Sequence, residues 1–225
     1  MPILTDSDKQ EIQKRLAEMV KPVRLIFFTQ NLADCQFCRP TEEILTELAI
    51  LNDKMKLEKY NFVSDKAEAE MYKVDKIPAT VIVGENDAGE AMDYGIRFYG
   101  IPAGYEFTSL LETILMVSTG KSGLSDKGKE ELRKLDKDVH IQVFVTPTCP
   151  YCPQAVIGAH RLAFENGFVT SDMVEATEYP QLSNRYAVRT VPKVVINDNA
   201  GFEGAIPDEL FVQHILNAVA NKNAT

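Results

Sequence analysis

All four cysteines of the 225-residue chain fall in two Cys-x-x-Cys pairs, Cys35-Gln36-Phe37-Cys38 and Cys149-Pro150-Tyr151-Cys152. The second pair lies 114 residues after the first, and Tyr72 and Val74 recur as Tyr186 and Val188 at the same offset. The Ile77-Pro78 step recurs as Val191-Pro192, which keeps 43 residues from first cysteine to proline in both copies. Phe98-x-Gly100 is echoed by Phe202-x-Gly204 at an offset of 104, so the second copy has lost ten residues, assigned here to the turn after Val194-Val195-Ile196. A repeat of this length means two copies of one folding unit.

Each copy carries the same order of elements. A charged amphipathic stretch opens the first, with Thr5 as N-cap and Ile12, Leu16 and Val20 on one face. A β-rich run follows, at Val23–Phe28 and at His140–Val145. Next come the cysteine pair and a helix, marked by Ile44, Leu45, Leu48 and Leu51 or by Val156, His160, Ala163 and Phe164. Second strands are expected at Leu57–Val63 and Met173–Thr177, then a short helix carrying Tyr72 or Tyr186. The X-Pro step leads into a hairpin and a closing helix, at Phe107–Val117 and Leu210–Val219. Strands alternating with helices predict two tandem α/β units, each a central mixed sheet flanked by helices. The linker-like stretch Ser118–Gly123 places the boundary between residues 1–119 and 120–225.

Composition removes several classes of function. The net charge is −9, divided as −7 over 1–119 and −2 over 120–225. With no basic tract, nucleic acid and anionic membranes are not expected as partners. No apolar run reaches the roughly 20 residues of a membrane span, and MPILTDSDKQ lacks the apolar core of a signal peptide, so a cytoplasmic location is expected.

A cysteine between a strand and a helix meets unpaired backbone N–H groups and the positive end of the helix dipole, which favour a thiolate. Such thiols have pKa values of about 3.5–7.5 against about 8.5 unperturbed. Attack gains little, because a more acidic thiol is a weaker nucleophile, but departure gains more. The pattern suits a site that both donates and accepts disulfides. The first cysteine of each pair is expected to be exposed and to attack; the second, one turn behind, is expected to be sheltered and to resolve. Cys35 and Cys149 are thus candidate nucleophiles, and Cys38 and Cys152 candidate resolving thiols. Pro40 and Pro153 fit a first helical turn. The alternative is a structural zinc site of four thiolates, but 111 residues separate the pairs, far beyond zinc-ribbon spacing.

These motifs resemble the thioredoxin fold. Over its full length the chain is similar to the glutaredoxin-like protein disulfide oxidoreductases of hyperthermophiles, which have two tandem thioredoxin-fold units. The likeness is carried most closely by Val145–Pro153 and Gly95–Gly104. It implies that Pro78 and Pro192 are cis and that the backbone of Ile77 and Val191 binds an extended client segment. It further implies reduction, formation or rearrangement of disulfides in client proteins, electrons from a flavin-dependent thioredoxin reductase, and no bound organic cofactor or metal. Two alternatives stay open: a dedicated relay from that reductase to a peroxidase, and non-enzymatic metal or iron–sulfur binding by the CxxC thiolates. Metal analysis of anaerobically purified protein separates the second.

The chain departs from thioredoxin where that family has a buried acid six residues before the first active cysteine. Here the place is taken by Val143 and by an apolar residue of Ile26–Phe28. Strand register nominates Glu175 and Lys59 as substitutes for proton transfer. The two sites are expected to differ in potential, because Pro150-Tyr151 is the glutaredoxin dipeptide and Gln36-Phe37 is not. Asp34, next to Ala33, would oppose thiolate formation at Cys35. Glu42 and Glu43 are read as complementing a helix start. His140, His160 and His214 fall on strand and helix patterns and are read as structural.

Overall fold

The computed structural model describes residues 3–30 and 35–221. The chain forms two compact units. The first comprises Met1–Asp93, Arg97–Ile101 and Thr113–Lys121; the second comprises Tyr94–Ile96, Pro102–Glu112 and Ser122–Thr225. The division is therefore not one cut, since two short stretches before the linker belong to the second unit.

In the first unit, helix α1 spans Asp6–Leu16. Thr5 and Asp8 close a capping box: the Asp8 N–H donates to the Thr5 hydroxyl, and the Thr5 N–H donates to the Asp8 carboxylate. Ile12 and Leu16 are buried as expected, but Val20 lies beyond the helix and is exposed. The chain tightens after Leu16 through i→i+3 bonds from Glu18 and Met19, and the buried place goes to Met19.

Strand β1 (Val23–Thr29) runs parallel to β2 (Met55–Asn61) and antiparallel to β3 (Ala79–Glu85), which pairs with β4 (Ala91–Tyr99). Paired on both edges and covered on both faces, β1 buries Leu25, Ile26, Phe27 and Phe28 completely. This explains its unbroken apolar sequence. Each such side chain contributes on the order of 1.5–3 kcal/mol. Helices α2 (Cys38–Ala49), α3 (Lys66–Met71) and α4 (Glu106–Thr119) complete the elements as far as the linker. Ile44, Leu45 and Leu48 form the buried face of α2, whereas Leu51 lies past its end.

The second unit repeats the plan with α5 (Asp126–Leu132), β5 (Val139–Val145), α6 (Cys152–Glu165), β6 (Val169–Glu175), α7 (Pro180–Arg185), β7 (Lys193–Ile196), β8 (Ala200–Glu203) and α8 (Asp208–Asn221). Its sheet is ordered β6-β5-β7-β8, with β5 parallel to β6 and antiparallel to β7. Both second strands begin earlier than expected, because Val23 pairs with Met55 and Val139 with Val169 in matched register. The shortening of the second copy is spread through its hairpin. Strands β3 and β4 have seven and nine residues where β7 and β8 have four each. Asn197 and Asp198, both at positive φ, make the tight connection.

Tyr72 and Tyr186 do not sit within the short helices; they are their C-caps. Each is followed by a left-handed residue, Lys73 at φ 51° and Ala187 at φ 50°. The N–H of Val188 then donates to Ser183 O at 2.8 Å, closing a Schellman-type end. Alanine is poorly suited to this conformation. Ala187→Gly is expected to raise stability by about 0.5–1 kcal/mol, seen as a higher urea midpoint at unchanged slope. An unchanged or lower midpoint would show that the backbone carries no strain there.

Candidate active site

Both cysteine pairs stand where a central strand hands over to a helix. Helix α2 begins at Cys38 and α6 at Cys152, so the second cysteine of each pair, not the first, opens the helix. Cys35 and Cys149 precede it by one turn. Pro153 falls in the first turn of α6, where no donor is lost. Each pair is closed as its own disulfide, Cys35–Cys38 and Cys149–Cys152, with Cα atoms 5.4 and 5.5 Å apart. Among the described residues no group of three or more His, Cys, Asp or Glu side chains is placed to hold a metal ion.

Access differs between the two. Cys35 is partly exposed and Cys38 is buried. In the second unit even the candidate nucleophile is covered: Cys149 is 7% exposed and Cys152 is fully buried, against the expectation of an open first cysteine. What protrudes there is Tyr151, 70% exposed beside the sulfurs. An open groove of about 610 Å³ starts at Cys35 and Cys38 and follows α2 past Arg39, Glu42 and Glu47.

The peptide bonds before Pro78 and Pro192 are both cis, as the resemblance implies. Val191 O lies 3.7 Å from Cys149 Sγ, which brings the residue before the proline to the sulfur pair. Ile77 and Val191 are partly exposed while the prolines behind them are buried. The Phe-x-Gly repeats now find their reason. Gly100 N–H donates to Pro78 O at 2.9 Å and Gly204 N–H to Pro192 O at 2.8 Å, fastening each cis-proline to the chain that leaves its hairpin.

Of the residues nominated for proton transfer, Lys59 is held in an ion pair, and Glu175 commits one carboxylate oxygen to a turn while its buried Oε1 has no hydrogen-bond partner among the described residues. Lys59 is half exposed and pairs with Glu42 at 2.9 Å. The buried Glu175 carboxylate accepts from the Thr177 hydroxyl and the Glu178 N–H, both at 2.7 Å, holding the turn after β6. Glu42 and Glu43 lie beyond the first turn of α2, where the dipole has faded, and Glu43 pairs with Arg39. Asp34 and Ala33 lie outside the described residues. Val143 and Ile26–Phe28, at the place of thioredoxin's acid, are all fully buried.

The sequence reading missed Glu106, at the start of α4. It is 1% exposed, and burial pushes its pKa up to about 7 despite a 2.7 Å hydrogen bond from the Ser109 hydroxyl. Its Oε1 has no hydrogen-bond partner among the described residues. The preceding residue, Tyr105, donates its N–H to Pro147 O at 2.9 Å, in the loop that leads to Cys149. In sequence, an acid opening a helix reads as a dipole partner. The one trace of something else is that the repeat aligns Glu106 with Leu210.

A thioredoxin-domain family model matches residues 139–217. Together with the cysteine pairs at strand-to-helix junctions and the cis-prolines, this defines a thioredoxin-fold protein with two CxxC units. A crystal structure of a protein disulfide oxidoreductase from Aeropyrum pernix K1 is 32% identical with a TM-score of 0.88, covering 96% of this chain and 94% of that one. The chain belongs to the protein disulfide oxidoreductase family. The NTD_N/C domain of alkylhydroperoxide reductase AhpF from Enterococcus faecalis is 27% identical with a TM-score of 0.85, covering 94% of this chain and 99% of that one. An alkyl hydroperoxide reductase chain of Staphylococcus aureus is 25% identical over 198 residues, 86% of this chain. The chain spans 26% and 34% of the length of the curated relatives it matches. Among the described residues no helix is long and apolar enough to cross a membrane.

Proposed function

We propose that the chain exchanges disulfides with client proteins at two sites, with Cys35 and Cys149 attacking and Cys38 and Cys152 resolving. The observation that carries this reading is the arrangement of the second site: a covered disulfide at a helix start whose first sulfur lies 3.7 Å from the carbonyl before a cis-proline. An extended client segment lying along Val191, or along Ile77 in the first unit, brings its own sulfur to the pair. In the reducing direction the Cys149 thiolate attacks one client sulfur, and the other leaves as a thiolate. Cys152, losing its proton, then attacks Cys149 Sγ, breaking the mixed disulfide and expelling the first client sulfur as a thiolate. The client gains two electrons and takes up two protons, one given up by Cys152 and one from solvent, and the pair is left oxidised. A dithiol reductant restores it: dithiothreitol in an assay, a flavin-dependent reductase in the cell. The redox groups are the cysteines themselves, with no organic cofactor.

Two buried carboxyls in the second unit are candidates for proton exchange: Glu175, nominated by strand register, and Glu106, which burial raises to about 7; each keeps one buried oxygen without a hydrogen-bond partner among the described residues. A second reading, a relay serving a single peroxidase, is favoured by the likeness to AhpF over 94% of the chain.

Dithiothreitol-driven insulin reduction and oxidative refolding of a scrambled client test the proposal. Cys35→Ser and Cys149→Ser are each expected to retain part of the activity, and the double variant none. Activity in the double variant would overturn the assignment. Parent protein that reduces one peroxidase but no unrelated client would favour the relay.

A further inference from the structure

The loop carrying the second nucleophile is a turn of its own: Cys149 N–H donates to Thr146 O at 3.1 Å, with Pro147 between them. The carbonyl of Pro147 is in turn taken by the N–H of Tyr105 at 2.9 Å. The residue before this donor is Gly104, at φ 61°. A Cβ built there would stand 2.2 Å from Pro147 O, 2.9 Å from its carbonyl carbon and 3.1 Å from its Cβ. Real side chains do not approach backbone so closely, so only a residue without a side chain admits this contact. The two chain segments meet backbone to backbone, within the second unit.

We propose that Gly104 and the Tyr105 amide form a clasp that positions the second redox site, fixing the Thr146–Cys149 turn so that Cys149 Sγ stays at the start of α6 and beside Val191 O. Gly104 is thus a positioning residue for disulfide exchange, 45 positions before the sulfur it serves. The inference rests on the reading of Cys149–Cys152 as a redox pair and adds what sets that pair's properties. The physical link is short. Any side chain at 104 displaces Pro147 O, the turn moves with it, and the Cys149 sulfur leaves the helix end that favours its thiolate. A thiolate less well stabilised makes the reduced pair less favoured and the thiol less acidic.

The repeat gives no hint of this clasp, because the second copy has Asp208 at the aligned place, and its carboxylate is bound by Arg161 at 2.9 Å. Gly120 supplies the control. It too has positive φ, 70°, but a Cβ there meets nothing within 4 Å, so Gly120→Ala imposes the backbone strain without the contact.

The test uses the full chain with Cys35→Ser and Cys38→Ser, leaving the second pair alone. Its equilibrium with the dithiothreitol couple and the pH dependence of its alkylation by iodoacetamide are measured with and without Gly104→Ala. The expected result is a pair more than threefold harder to reduce, with the alkylation midpoint at higher pH. Gly120→Ala should leave both within threefold of the parent. A second variant adds no side chain: replacing Tyr105 by its α-hydroxy acid removes the N–H that binds Pro147, at the cost of a weaker Gly104 carbonyl acceptor, and is expected to move both readouts the same way. Equilibria within threefold of the parent in either altered chain, or an equal change in Gly120→Ala, would overturn the clasp. The parent pair's exchange with dithiothreitol is measurable whether or not it acts on clients, so failure of the clasp is distinct from failure of the proposed function.

Discussion

Glu106→Gln is expected to stabilise the protein by about 3 kcal/mol at pH 8 and to leave it nearly unchanged at pH 4. The folded state holds this carboxyl at a pKa of about 7 because burial opposes its charge, whereas in the unfolded chain it titrates at its ordinary value of 4.5. Above pH 7 the native protein must ionise a buried acid, and the gap of about 2.5 between the two values corresponds to roughly 3 kcal/mol. Between pH 4.5 and 7 the native state holds a proton that the unfolded state has lost, so stability falls as pH rises through this window. Glutamine removes the ionisation and with it the slope. Urea titrations of both proteins at several pH values measure the effect, and equal stability at pH 8 would show that Glu106 ionises freely.

Acid should weaken the protein through a second buried group. His160 is completely buried on α6, and burial lowers its pKa from 6.5 to about 3. Below pH 6.5 the unfolded chain takes up a proton that the native state refuses, so stability drops as pH falls from 6.5 towards 3. At pH 4 the accumulated loss is roughly 3 kcal/mol. The two groups oppose each other. Between pH 4.5 and 6.5 the native excess proton on Glu106 offsets the unfolded excess proton on His160, and their summed contribution is nearly flat. Glu106→Gln should expose the histidine's rise of stability with pH, and His160→Gln the carboxyl's fall. Parallel pH profiles for parent and both variants would contradict the assignment of these slopes.

The sulfur chemistry is legible in sequence because it is periodic. Two CxxC pairs, two X-Pro steps and two Phe-x-Gly motifs at matched intervals set the order of elements. What they cannot show is anything set by one copy alone. Helix α5, Asp126–Leu132, has no apolar stripe to betray it, because DKGKEEL buries only Gly128 and Leu132. The second strands start earlier than their composition suggests, because pairing with β1 and β5 decides where they begin. Burial of Cys149 follows from packing around it, which residue spacing does not encode. Glu106 and Gly104 stay hidden for a related reason. One is a charge whose meaning lies in its burial, and the other is a missing side chain whose meaning lies in a carbonyl 43 residues away in the sequence.

The division of labour within each pair can be read directly by trapping. Cys38→Ser and Cys152→Ser remove the resolving thiols, so a client sulfur captured by either site has no route to release from within that site. Incubation of the reduced double variant with oxidised insulin, followed by mass spectrometry of the peptides, should find insulin chains bonded to Cys35 and to Cys149. Insulin bonded instead to Cys38 or Cys152 in the reciprocal Cys35→Ser, Cys149→Ser protein, with none on Cys35 or Cys149, would contradict the account.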